Sequence, residues 1–186
     1  MKNASHSVRI IGGQWRGRHL PVSDFESLRP SKDIVRETLF NWLQPVIEGS
    51  WCLDAFAGSG ALGFESASRG ASYVLMLERE TELVRQLRHQ REILKAGQVE
   101  VVAADSEQYL RRPGQVFDIV FLDPPFNSPL LPGICRTLSE YAWVKSGSVV
   151  YLEAARKPGL PALPDGWELY REKTSGDVAY GLARVL

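Results

Sequence analysis

Thiols are scarce in this chain. Only Cys52 and Cys135 occur, far apart and without CxxC spacing, which excludes a disulfide framework and a thiolate metal site and leaves two buried apolar residues as the simplest reading. The three histidines, His6, His19 and His89, are scattered and share no metal-ligand spacing, so no metal is expected. No apolar run approaches the roughly 18 residues that span a bilayer. Met1–Ser7 lacks the apolar stretch of a secretory signal, so cytoplasm is the expected compartment. Repeats, low-complexity tracts and linkers long enough to divide the chain are missing too. Net charge is also absent, since 22 cations balance 22 acids.

What is present suits a chain that folds in water. Apolar residues make up 44% and charged residues 24% of 186 positions, close to ordinary globular proteins and enough to build a real core. The expectation is a single domain over residues 1–186, with a basic N-terminal extension at 1–31 and a catalytic core at 32–186. The zero net charge hides an uneven distribution. Residues 1–36 carry seven cations (Lys2, Arg9, Arg16, Arg18, Arg29, Lys32, Arg36) against three acids (Asp24, Glu26, Asp33). A basic segment on an acidic body fits a partner rich in phosphate, or simply a solvated charged face.

The middle of the chain alternates short apolar runs with longer amphipathic stretches, the pattern of βαβ units and a mainly parallel sheet with helices on both faces. Strands are predicted at Trp51–Phe56, Tyr73–Glu78, Val99–Ala103, Phe117–Leu122 and Ser148–Glu153, rich in the residues of doubly covered strands. Helices are predicted at Asp33–Leu43, Ala61–Arg69, Glu80–Ala96, Ser106–Arg111 and Leu130–Tyr141, with Gly70, Gly97 and Pro113–Gly114 as stops and Pro30–Ser31 as a start. Trp167–Lys173 and Val178–Val185 flank Thr174–Asp177, which reads as a terminal antiparallel hairpin on the sheet edge.

Leu53 to Gly63 reads Leu-Asp-Ala-Phe-Ala-Gly-Ser-Gly-Ala-Leu-Gly, a strand that enters a glycine-rich turn and opens a helix. Gly58 and Gly60 allow close backbone approach to a ligand, and Gly63 allows tight helix-to-strand packing. Asp54 and Phe56 flank the turn. Glu78 ends the next strand, where its carboxylate can accept from both hydroxyls of a ribose. An adenosine-type ligand follows from these features, though a dinucleotide would show them as well. Asp105, after the third strand, either accepts an adenine amine or caps the following helix.

Asp123-Pro124-Pro125-Phe126 decides more, because it ends the fourth strand beside the crevice where such sheets bind ligands. Two successive prolines remove two donors and fix φ, which leaves rigid carbonyls and one carboxylate as acceptors in a small space. That is a site for a planar NH2 group. An aryl amine is a poor nucleophile because its lone pair is delocalised into the ring. Acceptors holding its two protons favour a geometry in which the nitrogen attacks a methyl carbon in line. Phe126 offers a ring face for stacking on the same base. A proline-terminated strand with a core Phe is the blander alternative.

Together, Asp54–Gly60, Glu78, Asp105 and Asp123–Phe126 resemble the class I S-adenosylmethionine-dependent methyltransferases that act on amino groups. More narrowly, Arg9-Ile-Ile-Gly-Gly-Gln-Trp-Arg-Gly-Arg18, Leu28-Arg29-Pro30 and Val35 to Leu43 resemble the RsmD family. That resemblance covers nearly the whole chain. It implies a Rossmann-like methyltransferase fold with a seven-stranded sheet, and methyl transfer to the exocyclic N2 of guanine 966 of 16S rRNA in the small ribosomal subunit or its assembly intermediate. The cofactor would be S-adenosylmethionine, leaving as S-adenosylhomocysteine. By the match, Asp123, Pro124, Pro125 and Phe126 handle the guanine, while Asp54, Phe56, Gly58, Gly60, Glu78 and Asp105 hold the cofactor, with a backbone amide as substitute for Asp105.

In the basic segment, Arg9, Arg16, Arg18, Arg29 and Lys32 suit phosphate, with glycines that let the backbone come close. Trp15 either stacks on RNA or anchors the segment to the body. Arg36 either faces the cofactor pocket or pairs along its helix. A similar acceptor site would also serve adenine N6 in RNA or DNA or a glutamine amide, and a non-catalytic RNA-binding assembly factor is a further reading. A monomer is expected.

Overall fold

In the computed structural model, residues 7–21, 33–125 and 129–186 are described. The sequence places one short strand pair before a doubly wound unit. Strands β1 (Ser7–Arg9) and β2 (His19–Pro21) pair antiparallel around a 3₁₀ turn at Gly13–Trp15, and helix α1 spans Asp33–Leu43. The unit continues as β3 (Trp51–Asp54), α2 (Ala61–Ser68), β4 (Tyr73–Glu78), α3 (Thr81–Leu94), β5 (Val99–Ala103), α4 (Ser106–Leu110), β6 (Ile119–Leu122) and α5 (Leu130–Glu140). It closes with β7 (Val149–Ala155), β8 (Trp167–Ser175) and β9 (Val178–Val185).

The seven strands lie in the order β5-β4-β3-β6-β7-β9-β8, parallel up to β7 and antiparallel through the hairpin. The order reverses between β3 and β6, and that switch point sets the ligand crevice at the carboxyl ends of these strands. Side chains alternate between two apolar layers. Cys52, Met76, Phe121 and Tyr151 face α1, α2 and α3, while Leu53, Leu75, Val120 and Leu122 face α5 and Trp143.

Most predicted elements stand within two residues of their expected ends. Strand β3 stops at Asp54 rather than Phe56, because the chain turns there toward the glycines. Strand β6 starts at Ile119 rather than Phe117, since the Phe117 amide donates to the Trp143 carbonyl instead of a neighbouring strand. Strand β7 outlasts its expected end by two residues because β9 keeps pairing with it as far as Ala155 opposite Val178. Cys52 and Cys135 are buried, as expected, and burial pushes both thiols up to about 12. The predicted helix start at Pro30–Ser31 lies outside the described residues. Among the described residues no helix is long and apolar enough to cross a membrane, and no group of three His, Cys, Asp or Glu could hold a metal.

Candidate active site

The crevice begins where β3 gives way to the glycine turn. Gly58 and Gly60 take φ of 50° and 79°, a left-handed backbone that L side chains rarely adopt. A Cβ on Gly60 would sit 2.6 Å from Leu87 and 2.7 Å from Phe64, and one on Gly63 would sit 2.3 Å from Met76. Gly63 thus lets α2 lie close against β4, as its place in the motif required.

Two carboxylates hold the turn from either side. Asp54, 1% exposed, accepts the Gly63 amide at 3.0 Å. Burial is the main reason its carboxyl is pushed up to about 7, opposed by hydrogen bonds from the Gly63 and Phe56 amides and reinforced by the charge of Glu78. Asp54 therefore acts through the turn it shapes. Glu78, half-buried, accepts from Gly58 at 2.9 Å through Oε2 and from the Arg79 and Glu80 amides at 2.8 and 2.9 Å through Oε1. Backbone donors so placed fix the carboxylate at the strand end before any ligand arrives.

Asp105 caps α4, accepting the Gln108 amide at 3.1 Å, and stays half-exposed beside the crevice. Its neighbour Ser106 donates to the Ala55 carbonyl, which ties α4 to the turn. Phe56 is half-buried at the same rim. Across the switch point, Asp123 is half-buried, Pro124 buried and Pro125 exposed, directly after β6. Phe126, Arg29 and Lys32 lie outside the described residues.

Register turns these positions into one row. Asp54 is opposite Met76 on β4 and Phe121 on β6, and Phe121 is opposite Tyr151 on β7. Two residues further along, alternation returns to the same face and brings Glu78, Asp123 and Glu153 to the carboxyl edge. Glu153, 3% exposed, had no place in the sequence reading. It accepts the Tyr151 hydroxyl at 2.6 Å. Its signal was the lone acid closing an apolar run, Val-Val-Tyr-Leu-Glu.

The basic segment docks on α2 through a second missed acid. Glu65 is wholly buried and accepts the Ile11 and Gly12 amides at 2.7 and 2.8 Å and the Arg69 Nε at 2.7 Å. Ser68 donates to the Gly12 carbonyl at 2.6 Å and accepts the Trp15 amide at 3.0 Å. Gly13, at φ 75°, has no room for a Cβ, which would fall 1.8 Å from the Ser68 carbonyl. Trp15 is buried in the core cluster, which makes it the anchor rather than an exposed stacking platform. Arg9, Arg16 and Arg18 remain exposed.

Arg36 belongs to this clasp. It is 1% exposed, donates through Nη2 to the Arg9 carbonyl at 2.9 Å and to Asp33 at 2.6 Å, and brings Nη1 to 3.9 Å from Glu65. Its Nε and Nη1 make no hydrogen bond among the described residues. The pairing along α1 is therefore present, with the Arg36 end buried and the Asp33 end exposed.

Residues 8–184 match the family model described as conserved hypothetical protein 95. The chain is 47% identical over 186 residues to the ribosomal RNA small subunit methyltransferase D of Escherichia coli strain K12, covering 98% of this chain and 94% of that one. This chain belongs to the RsmD family. It is also 46% identical over 184 residues to the methyltransferase D of Haemophilus influenzae, covering 97% and 95% of the two chains. Among solved structures, the yhhF protein of Escherichia coli superposes with a TM-score of 0.91 at 45% identity, covering 97% of this chain and 98% of the other. The resemblance to the RsmD family carried by Arg9–Arg18, Leu28–Pro30 and Val35–Leu43 therefore holds over almost the full length, and with it the α/β methyltransferase fold.

Proposed function

We propose that this protein transfers a methyl group from S-adenosylmethionine to the exocyclic N2 of a guanine in 16S rRNA of the small ribosomal subunit, guanine 966 by family resemblance. One observation carries the reading: the glycine turn with Glu78 and the Asp123-Pro124-Pro125 acceptor site end strands of one sheet on either side of its switch point. Strands are spaced about 4.8 Å apart, so β4 and β6, separated by β3, put Glu78 and Asp123 on the order of 10 Å apart. A ribose at one place and a sulfonium methyl near the other is a span that one nucleoside-like cofactor can bridge.

The residues present fit that cofactor. Gly58 and Gly60 hold the turn in a left-handed backbone, and Glu78 is already oriented by three amides. In this reading Gly58, Gly60 and Glu78 hold the adenosine, while Asp105 or a neighbouring amide meets its adenine. Held there, the cofactor would supply an electrophilic methyl carbon whose bond to sulfur would give way, with its electron pair left on sulfur, to the amine nitrogen that Asp123 and the Pro124 carbonyl aim. Asp123 and the Pro124 carbonyl accept the two protons of the amine and aim its nitrogen. No general base is required, because the nitrogen becomes acidic once it carries the methyl group, and its proton leaves to water. Phe126 stacks on the base, and Arg9, Arg16, Arg18, Arg29 and Lys32 meet phosphates. The relatives' printed name, ribosomal RNA small subunit methyltransferase D, supports the substrate.

Asp123→Ala tests the assignment. Cofactor affinity should stay within about twofold while methyl transfer to unmodified small-subunit particles falls by about 10³. Labelled cofactor and nucleoside analysis read the product. A variant with the parent rate removes Asp123 from the mechanism, methylated adenine would point to the adenine-N6 alternative, and no labelled nucleoside with the parent would favour a binding protein.

A further inference from the structure

The proposed reaction leaves one well-placed group unused. Glu153 lies two residues before the end of β7, the strand beside the acceptor site. Leu122 is opposite Leu152, so the next residue of each strand sets Asp123 next to Glu153. Tyr151 holds Glu153 through its hydroxyl at 2.6 Å, and both side chains are almost wholly buried. Removal of a carboxylate from water is costly unless donors compensate it, and the Tyr151 phenol is one such donor, orienting the acid beside the acceptor strand. Tyr151 also senses both acids. Burial, then the charges of Glu153 and Asp123, raise its hydroxyl well above the ordinary phenol range, so it stays a donor at neutral pH.

We propose that Glu153 makes this pocket select guanine over adenine, its carboxylate accepting the N1–H of the base while Asp123 and the Pro124 carbonyl hold the N2 amine. The inference rests on the guanine-N2 reading and deepens it. On guanine, the amine and N1–H are adjacent donors, which two neighbouring carboxylates complement. Adenine places an acceptor, its N1, beside the amine. A second carboxylate would face that lone pair without a proton between them, and an unpaired buried acceptor is expensive. The Asp123 motif alone does not distinguish the two bases. Glu153 does.

The experiment uses full-length protein, S-adenosylmethionine and small-subunit RNA particles carrying either guanine or 2-aminopurine at the target position. 2-Aminopurine keeps the amine but lacks N1–H. The parent should prefer guanine by about 10- to 100-fold in kcat/KM, the worth of one hydrogen bond to a buried charged group. Glu153→Gln, whose amide can accept or donate at N1, should reduce that preference to within about threefold with cofactor affinity unchanged. Tyr151→Phe, which keeps the ring and removes the hydroxyl that orients the carboxylate, should reduce it by a smaller factor. The loss of O6 in 2-aminopurine affects parent and variant alike and cancels from the ratio.

A merely structural Glu153 would slow both templates equally, so an unchanged ratio overturns the proposal while leaving guanine methylation intact. If Glu153→Gln fails to fold, the Tyr151→Phe ratio decides, and a parent-like value there is equally fatal. If the parent labels adenine in place of guanine, the underlying reading fails first, and the nucleoside analysis shows which has failed.

Discussion

The carboxyl edge of the sheet and the N-terminal arm solve different problems with the same residue type, a buried carboxylate. At the edge, Asp54 and Glu78 accept amides from the turn and strand end beside them, and Glu153 takes a hydroxyl from its own strand. These acids inherit their positions from the core strands. The arm has two three-residue strands and depends on a side-chain clasp, with Glu65 and Ser68 gripping Ile11, Gly12 and Trp15. Proposed chemistry is thus built into elements that the core already fixes, whereas proposed RNA contact is carried by a small appendage held by a few buried side chains, Glu65 and Arg36 chief among them. The edge should be robust to damage in the arm, and the arm should fail when α2 is altered.

The strongest challenge to that contrast is Glu65→Ala. It strips two amides of their acceptor and leaves buried Arg36 and its neighbour Arg69 without their shared counter-ion, a loss of about 3–5 kcal/mol. Urea unfolding should show that loss, and the folded fraction should still bind S-adenosylmethionine with near-parent affinity. Retained stability would mean that the clasp is not what holds the arm.

On the edge side, the comparison is sharpened by pH. Asp54 titrates near 7 when folded against an ordinary value of 3.8, so between those values the folded chain binds the proton that the unfolded chain has lost. Its contribution is greatest below about pH 4, declines as pH rises to 7, and is level above, by up to about 4 kcal/mol. Asp54→Asn should lack this decline in urea midpoints measured across that range. An identical pH slope in the variant would place the charge elsewhere.

The smallest effect is expected from Arg16→Ala with Arg18→Ala. Both residues are exposed and outside the clasp, so folding and cofactor binding should hold while affinity for the RNA particle drops roughly tenfold and the salt slope shrinks by about 2. Equal slopes for parent and variant would detach these arginines from phosphate.

Periodicity and turn chemistry carried most of the fold, because the parallel strands are apolar on both faces and glycine or proline marks their ends. The errors at β3 and β6 arose where an apolar residue, Phe56 or Phe117, continues the pattern after or before pairing. Asp54, Glu78 and Asp123 were readable because each stands at the carboxyl end of a strand, and strand order is what lined them up. Glu65 was not readable in this way. It lies within a helix of small and apolar residues, Ala-Leu-Gly-Phe-Glu-Ser-Ala-Ser, all buried, and its partners are more than fifty residues earlier. Long-range pairing of this kind leaves no periodic trace, although an acid amid such neighbours is itself an anomaly worth marking. Glu153 escaped for a related reason, since its importance depends on which strand lies beside it.

Helix α2 begins at the ligand turn and carries Glu65 in its second turn, so it measures angle as well as length. One residue inserted between Gly60 and Glu65 would swing that carboxylate by about 100° around the helix axis, out of reach of Ile11 and Gly12, while the turn itself could remain intact. The stretch from Gly60 to Ser68 should therefore tolerate changes of side chain far better than any change in count, and a natural variant with an altered count there would need another way to moor its arm.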